Sequence, residues 1–150
     1  MVKIQYISDI HLEFIGHKFN NLFQYTGDIL CLAGDICVCG NENDWKIFVS
    51  FITFISQKYL HIIHVPGNHE YYTAGTLSKI TKAHTIQGIN ERFKLLDKAI
   101  PNYHFLNCRT IHLKIKKKKI FFIGATLWAN VSASARNNIE RGMNDYNYIY

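Results

Sequence analysis

Residues 29–33 read Ile-Leu-Cys-Leu-Ala, an uninterrupted apolar run that stops at Gly34-Asp35. A short continuous run bounded by a turn signal fits a strand covered on both faces, as in a parallel sheet, better than a strand with one wet side. A second such run, His61-Ile62-Ile63-His64-Val65, is stopped by Pro66-Gly67. Between the two, Trp45, Phe48, Val49, Ile52, Ile55 and Tyr59 recur at helical spacing, and Asn43 or Asp44 is placed to cap a helix running to about Tyr59. Strand, helix, strand in this order calls for parallel pairing through a right-handed crossover. Residues 2–7 supply an earlier strand, and a second helical stretch is expected over 77–98, with Gly88 as its weak point and Pro101 beyond its end. After Pro101 the character changes. Residues 103–106, 111–115 and 120–124 read as short strands, the last two joined at Lys116 to Lys119. The fold class is therefore α/β (α+β): a parallel βαβαβ half followed by short antiparallel strands.

Each apolar run ends in residues with chemistry. Asp9-Ile10-His11 follows the first strand, Gly34-Asp35 the second, and Gly67-Asn68-His69-Glu70 the third. In an open parallel sheet, ligands bind beyond the carboxyl ends of the strands, so all of these fall on one rim, on loops held by rigid strands. The residue types suit a pair of divalent cations. A carboxylate such as Asp35 can bridge two ions through its two oxygens, Asp9 and His11 can converge on one ion, and Asn68 offers a neutral carbonyl oxygen. Mixed nitrogen and oxygen donors suit manganese, iron or zinc better than calcium. Two such ions activate water and stabilise a phosphate ester under attack, while His69, beside Asn68, is placed to protonate the departing oxygen. An Asp-x-His triplet alone carries little weight; three groups in order, each after a strand, carry much more.

Composition excludes several other classes. Hydrophobic residues make up 48% and charged residues 19% of the 150, which is a globular rather than a disordered composition. A formal charge of +6 favours phosphate-bearing ligands in general, but the lysine run reads as a solvated hairpin tip, with no base-stacking aromatics around it. No basic-then-apolar leader precedes the first strand, and the longest apolar stretch, 47–55, is too short to span a bilayer, so residence in the cytoplasm and no membrane partner are expected. Cys31, Cys37, Cys39 and Cys108 are then expected as thiols, Cys37-Val38-Cys39 having no second Cys/His pair with zinc-site spacing. His61 and His64 lie within a strand and His112 in a hairpin, positions of packing rather than ligation.

The three motifs resemble those of the calcineurin-like metallophosphoesterase family: Asp-x-His, Gly-Asp and Gly-Asn-His-Asp/Glu, here Asp9-Ile10-His11, Gly34-Asp35 and Gly67-Asn68-His69-Glu70. Phe122 to Trp128 and Met143-Asn144-Asp145-Tyr146 resemble segments of bacterial and phage members. The resemblance implies a β-sandwich flanked by helices, of which this chain corresponds to the first half. It implies two divalent metal ions, with Asp9 and His11 holding the first, Asp35 bridging, Asn68 holding the second, and His69 assisting the leaving group. It also implies a hydrolase acting on a phosphomonoester or phosphodiester. The family's later Gly-His or His-His and Gly-His-x-His elements have no counterpart, since no histidine follows His112. By that resemblance the second ion keeps few ligands and the second sheet is largely absent.

These features lead to one shortened metallophosphoesterase domain over 1–150 as the expectation, with apolar sheet surface that a partner chain or self-association would cover. Three activities compete: a phosphoesterase, a remnant that binds metal or phosphate without turnover, and a basic nucleic-acid module carried by Lys114 and Lys116 to Lys119. Nucleic acid is expected only as a substrate on the first of these.

Overall fold

The computed structural model describes residues 1–73 and 80–150. Four strands, β1 (Ile4–Ile7), β2 (Ile29–Ala33), β3 (His61–Val65) and β4 (Tyr103–Phe105), form a sheet in the order β1-β2-β3-β4, every neighbouring pair parallel. Helix α1 (Leu12–Ile15) follows β1, α2 (Glu42–Ser56) joins β2 to β3, and α3 (Ile86–Ala99) joins β3 to β4. An antiparallel hairpin follows, β5 (Arg109–Ile115) and β6 (Lys118–Gly124), and the short helices α4 (Arg136–Gly142) and α5 (Asp145–Tyr148) end the chain. The expected α/β architecture is present, with the lysine run at the hairpin tip.

The sheet has a different cover on each face, which is why β2 is apolar throughout and β3 apolar apart from His61 and His64. On one face Leu30, Leu32, Ile62, Tyr103 and Phe105 meet the buried stripe of α2 and Ile89, Phe93 and Leu96 of α3. Burying each such side chain contributes about 1.5–3 kcal/mol. On the other face Ile29, Ile63 and Leu106 pack with Ile115 of the hairpin, joined by half-buried Ile111, Leu113, Ile120 and Phe122. The outer side of that hairpin is bare, with Phe121 61% and Ile123 83% exposed.

Boundaries differ from the sequence reading for identifiable reasons. Helix α2 starts earlier than Asn43 because Asn41 is extended and its side chain accepts the Asp44 N–H at 3.0 Å; Asp44 then sits in the first turn, where its charge suits the helix N-terminus. Of the helix expected over 77–98, residues 77–79 lie outside the described residues. From Lys82 to His84 the chain makes one 3-10 turn, and α3 begins only at Ile86, where Thr85 Oγ1 accepts the Gly88 N–H at 3.2 Å. Gly88 is therefore part of the start of the helix rather than a weak point in its middle. Strands β5 and β6 run two residues further toward their tip and outer ends than their apolar cores suggest, because cross-strand pairing such as Lys114 with Lys119 continues the ladder regardless of side chain. The polar tail after Trp128, which has no hydrophobic period, nevertheless contains α4 and α5.

Candidate metal centre

The loops after β1, β2 and β3 meet at the carboxyl edge of the sheet. The first two run side by side as a continuation of the β1–β2 pairing: Asp9 N–H donates to the Gly34 carbonyl at 3.0 Å, His11 N–H to that of Asp35 at 3.1 Å, and Leu12 N–H to that of Ile36 at 2.8 Å. The third loop closes on the second. A Cβ at Gly34 would meet Gly67 N at 2.9 Å, and Gly34 has φ of +89°, so both a left-handed backbone and a close approach require glycine there.

Asp9, His11 and Asp35 each offer a ligand atom, and those atoms all lie within 4.8 Å of one another. All three residues also have left-handed backbones, with φ of 55°, 51° and 55°. For a non-glycine residue this conformation costs on the order of 1 kcal/mol, and clusters of it mark sites where surrounding structure imposes the geometry. Burial pushes the Asp35 carboxyl above the usual carboxylate range; the backbone N–H of His69 opposes this and the Glu70 charge adds to it. A mixed oxygen and nitrogen donor set, strained into convergence around an acidic group that burial penalises, fits a divalent cation. Glu13 orients the set from behind. His11 Nδ1 donates to Glu13 Oε1 at 3.0 Å, which leaves Nε2 as the ligand atom, and Glu13 Oε2 accepts the Val38 N–H at 3.2 Å.

The structure brings His69 to the same place. Its backbone N–H donates to Asp35 Oδ1 at 3.0 Å, and its ring stands edge-on to His11 with centroids 4.4 Å apart and stacks on Tyr72 at 4.3 Å. His69 Nδ1 is 3.4 Å from Glu13 Oε1, without hydrogen-bond geometry. Asn68 is the fourth candidate ligand. Its Nδ2 donates to Asp145 Oδ1 at 2.8 Å and to the Tyr72 hydroxyl at 3.2 Å, so its carbonyl oxygen is the atom left to hold an ion.

Sequence reasoning gave no role to several residues that shape this rim. Glu70 is fully buried, yet its carboxylate accepts the N–H groups of Ile36 at 2.8 Å, Asp35 at 3.0 Å and Gly67 at 2.7 Å. Burial alone would raise its pKa; nearby His64 and those N–H groups outweigh it and hold the carboxyl below the usual range. His64 Nε2 lies 3.7 Å away, too long for a hydrogen bond, while His64 Nδ1 is 2.6 Å from the Tyr103 hydroxyl. His64 is thus a packed core histidine, as its place in β3 suggests, and it also stands beside the Glu70 carboxylate that joins these loops. The position of Glu70, directly after His69, was the one signal available for it; Glu13, two residues after His11, offered a similar one. The four cysteines are free, and burial pushes the thiols of Cys37 and Cys39 far up.

Comparison with known proteins gives a family and a fold. A family model described as calcineurin-like phosphoesterase matches residues 2–139. Uncharacterized protein L509 of Acanthamoeba polyphaga mimivirus is 36% identical over 156 residues, covering 97% of this chain and 51% of that protein. The crystal structure of phosphopantetheinyl hydrolase (PptH) from Mycobacterium tuberculosis superposes with a TM-score of 0.66 at 17% identity, over 99% of this chain and 55% of that one, a likeness of fold. The chain spans about half the length of the relatives it matches.

Proposed function

The chain belongs to the calcineurin-like phosphoesterase family, and from that premise we propose that it hydrolyses a phosphomonoester or phosphodiester at a dinuclear metal site on the rim of its parallel sheet. The observation that carries this reading is the convergence of Asp9, His11 and Asp35, each strained into a left-handed backbone. Asp9 and His11 would hold one cation, Asp35 would be shared, and Asn68 would hold the other; manganese, iron or zinc suits these donors. When bound, such ions supply Lewis acidity toward water and the phosphoryl oxygens.

The chain's own residues do the rest. His11 presents Nε2 because Glu13 accepts the hydrogen bond that Nδ1 donates. His69 carries the proton for the leaving oxygen on Nε2, the ring nitrogen turned away from Glu13, and its ring is held in place by His11 and Tyr72. Glu70 keeps the second and third loops in register through the backbone of Asp35, Ile36 and Gly67. We read residues 1–150 as belonging to one metallophosphoesterase domain. The exposed Phe121 and Ile123 support coverage of the outer hairpin face by a partner chain or a second copy. Among the described residues no helix is long and apolar enough to cross a membrane, and residence in the cytoplasm is part of the proposal.

A second reading, binding of metal or phosphate without turnover, is favoured by one observation: the candidate ligand groups among the described residues include no histidine beyond His11 and His69. One experiment separates the two. Hydrolysis of an aryl phosphate and of a bis-aryl phosphate is followed with added manganese, for the wild type and for Asp35→Ala. A rate that depends on both manganese and Asp35 supports the enzyme. Asp35-dependent manganese binding with no hydrolysis supports the binding protein, and equal behaviour of the two proteins removes both.

A further inference from the structure

The Asn68 amide has only one orientation available to it. Its Nδ2 donates to Asp145 Oδ1 at 2.8 Å and to the Tyr72 hydroxyl at 3.2 Å, and that hydroxyl in turn donates to the same Asp145 oxygen at 2.6 Å. Ionised carboxylates only accept hydrogen bonds. A flipped amide would set its carbonyl oxygen against the Asp145 carboxylate, exchanging a charge-assisted hydrogen bond for repulsion between two acceptors. Asp145 reaches Asn68 from 77 residues away along the chain, on the first turn of α5. That turn is tied down independently: Thr73 N–H and Thr73 Oγ1 both donate to the Tyr148 carbonyl, at 3.0 and 3.2 Å, Ile86 N–H donates to the Tyr150 carbonyl at 2.8 Å, and the rings of Tyr72 and Tyr148 lie 5.4 Å apart.

We propose that Asp145 is a positioning residue of the metal centre: it locks the Asn68 amide through Nδ2 so that Oδ1 is the atom presented to a divalent cation, and it thereby couples docking of the C-terminal segment to cation binding. The inference rests on the metal-centre reading above. It makes the segment after α4 part of the site, although none of its residues needs to touch the ion.

The test compares Asp145→Ala, which removes the acceptor, with Asp145→Asn, whose side-chain oxygen can still accept from Asn68 and Tyr72. The side-chain amide signals of Asn68, assigned by their loss in Asn68→Asp, are recorded by NMR without metal, and manganese binding is then measured by calorimetry. In Asp145→Ala the Asn68 amide signals are expected to shift and manganese affinity to fall by about 10–100-fold; Asp145→Asn should return affinity to within about threefold of the wild type, on the same principle that an oriented ligand depends on its hydrogen-bond partner. Unmoved Asn68 signals in Asp145→Ala, or an unchanged isotherm, overturn the proposal. So does an Asp145→Asn protein as weak as Asp145→Ala, because the carboxylate charge itself would then matter. Manganese binding indifferent to Asp35→Ala would instead overturn the parent reading, and this proposal with it, whatever the amide signals show.

Discussion

Glu70 holds Asp35 by its backbone: Glu70 Oε2 accepts the Asp35 N–H at 3.0 Å, and the same oxygen takes the Gly67 N–H at 2.7 Å. One buried carboxylate therefore joins the loop after β2 to the loop after β3. Glu70→Gln replaces an acceptor-only group with one whose amide nitrogen faces backbone donors, and Glu70→Ala leaves those donors unpaired. Each should cost on the order of 3–5 kcal/mol, lowering Tm by roughly 6–20 °C for a chain of this size. Thermal melts without metal check this, and a loss below about 1 kcal/mol would show that the loops hold together without Glu70.

The same carboxyl sets an acid limit. Its folded-state pKa lies below the ordinary glutamate value of 4.5 despite full burial, so the folded state binds fewer protons than the unfolded chain just below that pH. The stability Glu70 contributes is fully present above about 4.5 and is lost as pH falls through the lower folded-state value. Urea unfolding between pH 5 and 3, in roughly half-unit steps, should show a steeper decline for the wild type than for Glu70→Gln. Parallel declines would assign the acid loss to other groups.

Much of this candidate site is legible in the sequence. The apolar runs 29–33 and 61–65 are covered on both faces, so their composition states their environment, and the residues that follow must lie on the rim. What was hidden depends on residues that only the fold brings together. No local pattern announces that Asp145 meets Asn68 across 77 positions, and a tail without hydrophobic period gave no hint that α5 would dock on Thr73 through backbone hydrogen bonds. Glu70 sat in plain view, but its role depends on three N–H groups from two other stretches of chain. The start of α3 was misplaced because Thr85, rather than an earlier residue, supplies the capping oxygen.

A different pH response belongs to the opposite end of the sheet. His61 Nδ1 and His104 Nε2 are 3.0 Å apart at the start of β3 and in β4, so one ring donates and the other accepts. Burial lowers the pKa of both, and for His104 the charge of His61 lowers it further while Asp97 opposes. With folded values below the ordinary 6.5, the unfolded state binds more protons there, and stability present above that pH declines as pH drops below it. His104→Gln should flatten the stability profile between about pH 7 and 5, measured by urea midpoints. A variant profile as steep as the wild type's would clear this pair of responsibility.

Backbone contact between the metal loops can be probed with two glycines. A Cβ at Gly67 would collide with Asp35 Oδ1, and one at Gly34 would meet Gly67 Cα at 3.0 Å while also bearing a left-handed backbone. Gly67→Ala and Gly34→Ala should each cost about 1–3 kcal/mol and push Asp35 away from its partners. Manganese should raise the wild-type Tm by linkage, and that rise should shrink in both variants. A full manganese-induced rise in Gly67→Ala would mean that Asp35 does not hold the ion where the loops meet.

His69 offers the sharpest kinetic signature. Its ring is fixed between His11 and Tyr72, with Glu13 Oε1 3.4 Å from Nδ1. If the ring protonates the leaving oxygen, its value depends on how badly that oxygen needs a proton. His69→Asn should lower kcat/KM for an alkyl phosphate by about 10²–10⁴-fold, whereas for a nitrophenyl ester, whose anion leaves unaided, the loss should be smaller by at least about tenfold. Plotting log kcat/KM against leaving-group pKa should therefore give a steeper negative slope for the variant than for the wild type. Equal slopes with a uniform drop would make His69 a residue that shapes the pocket or the ions, and the proton would have to come from elsewhere.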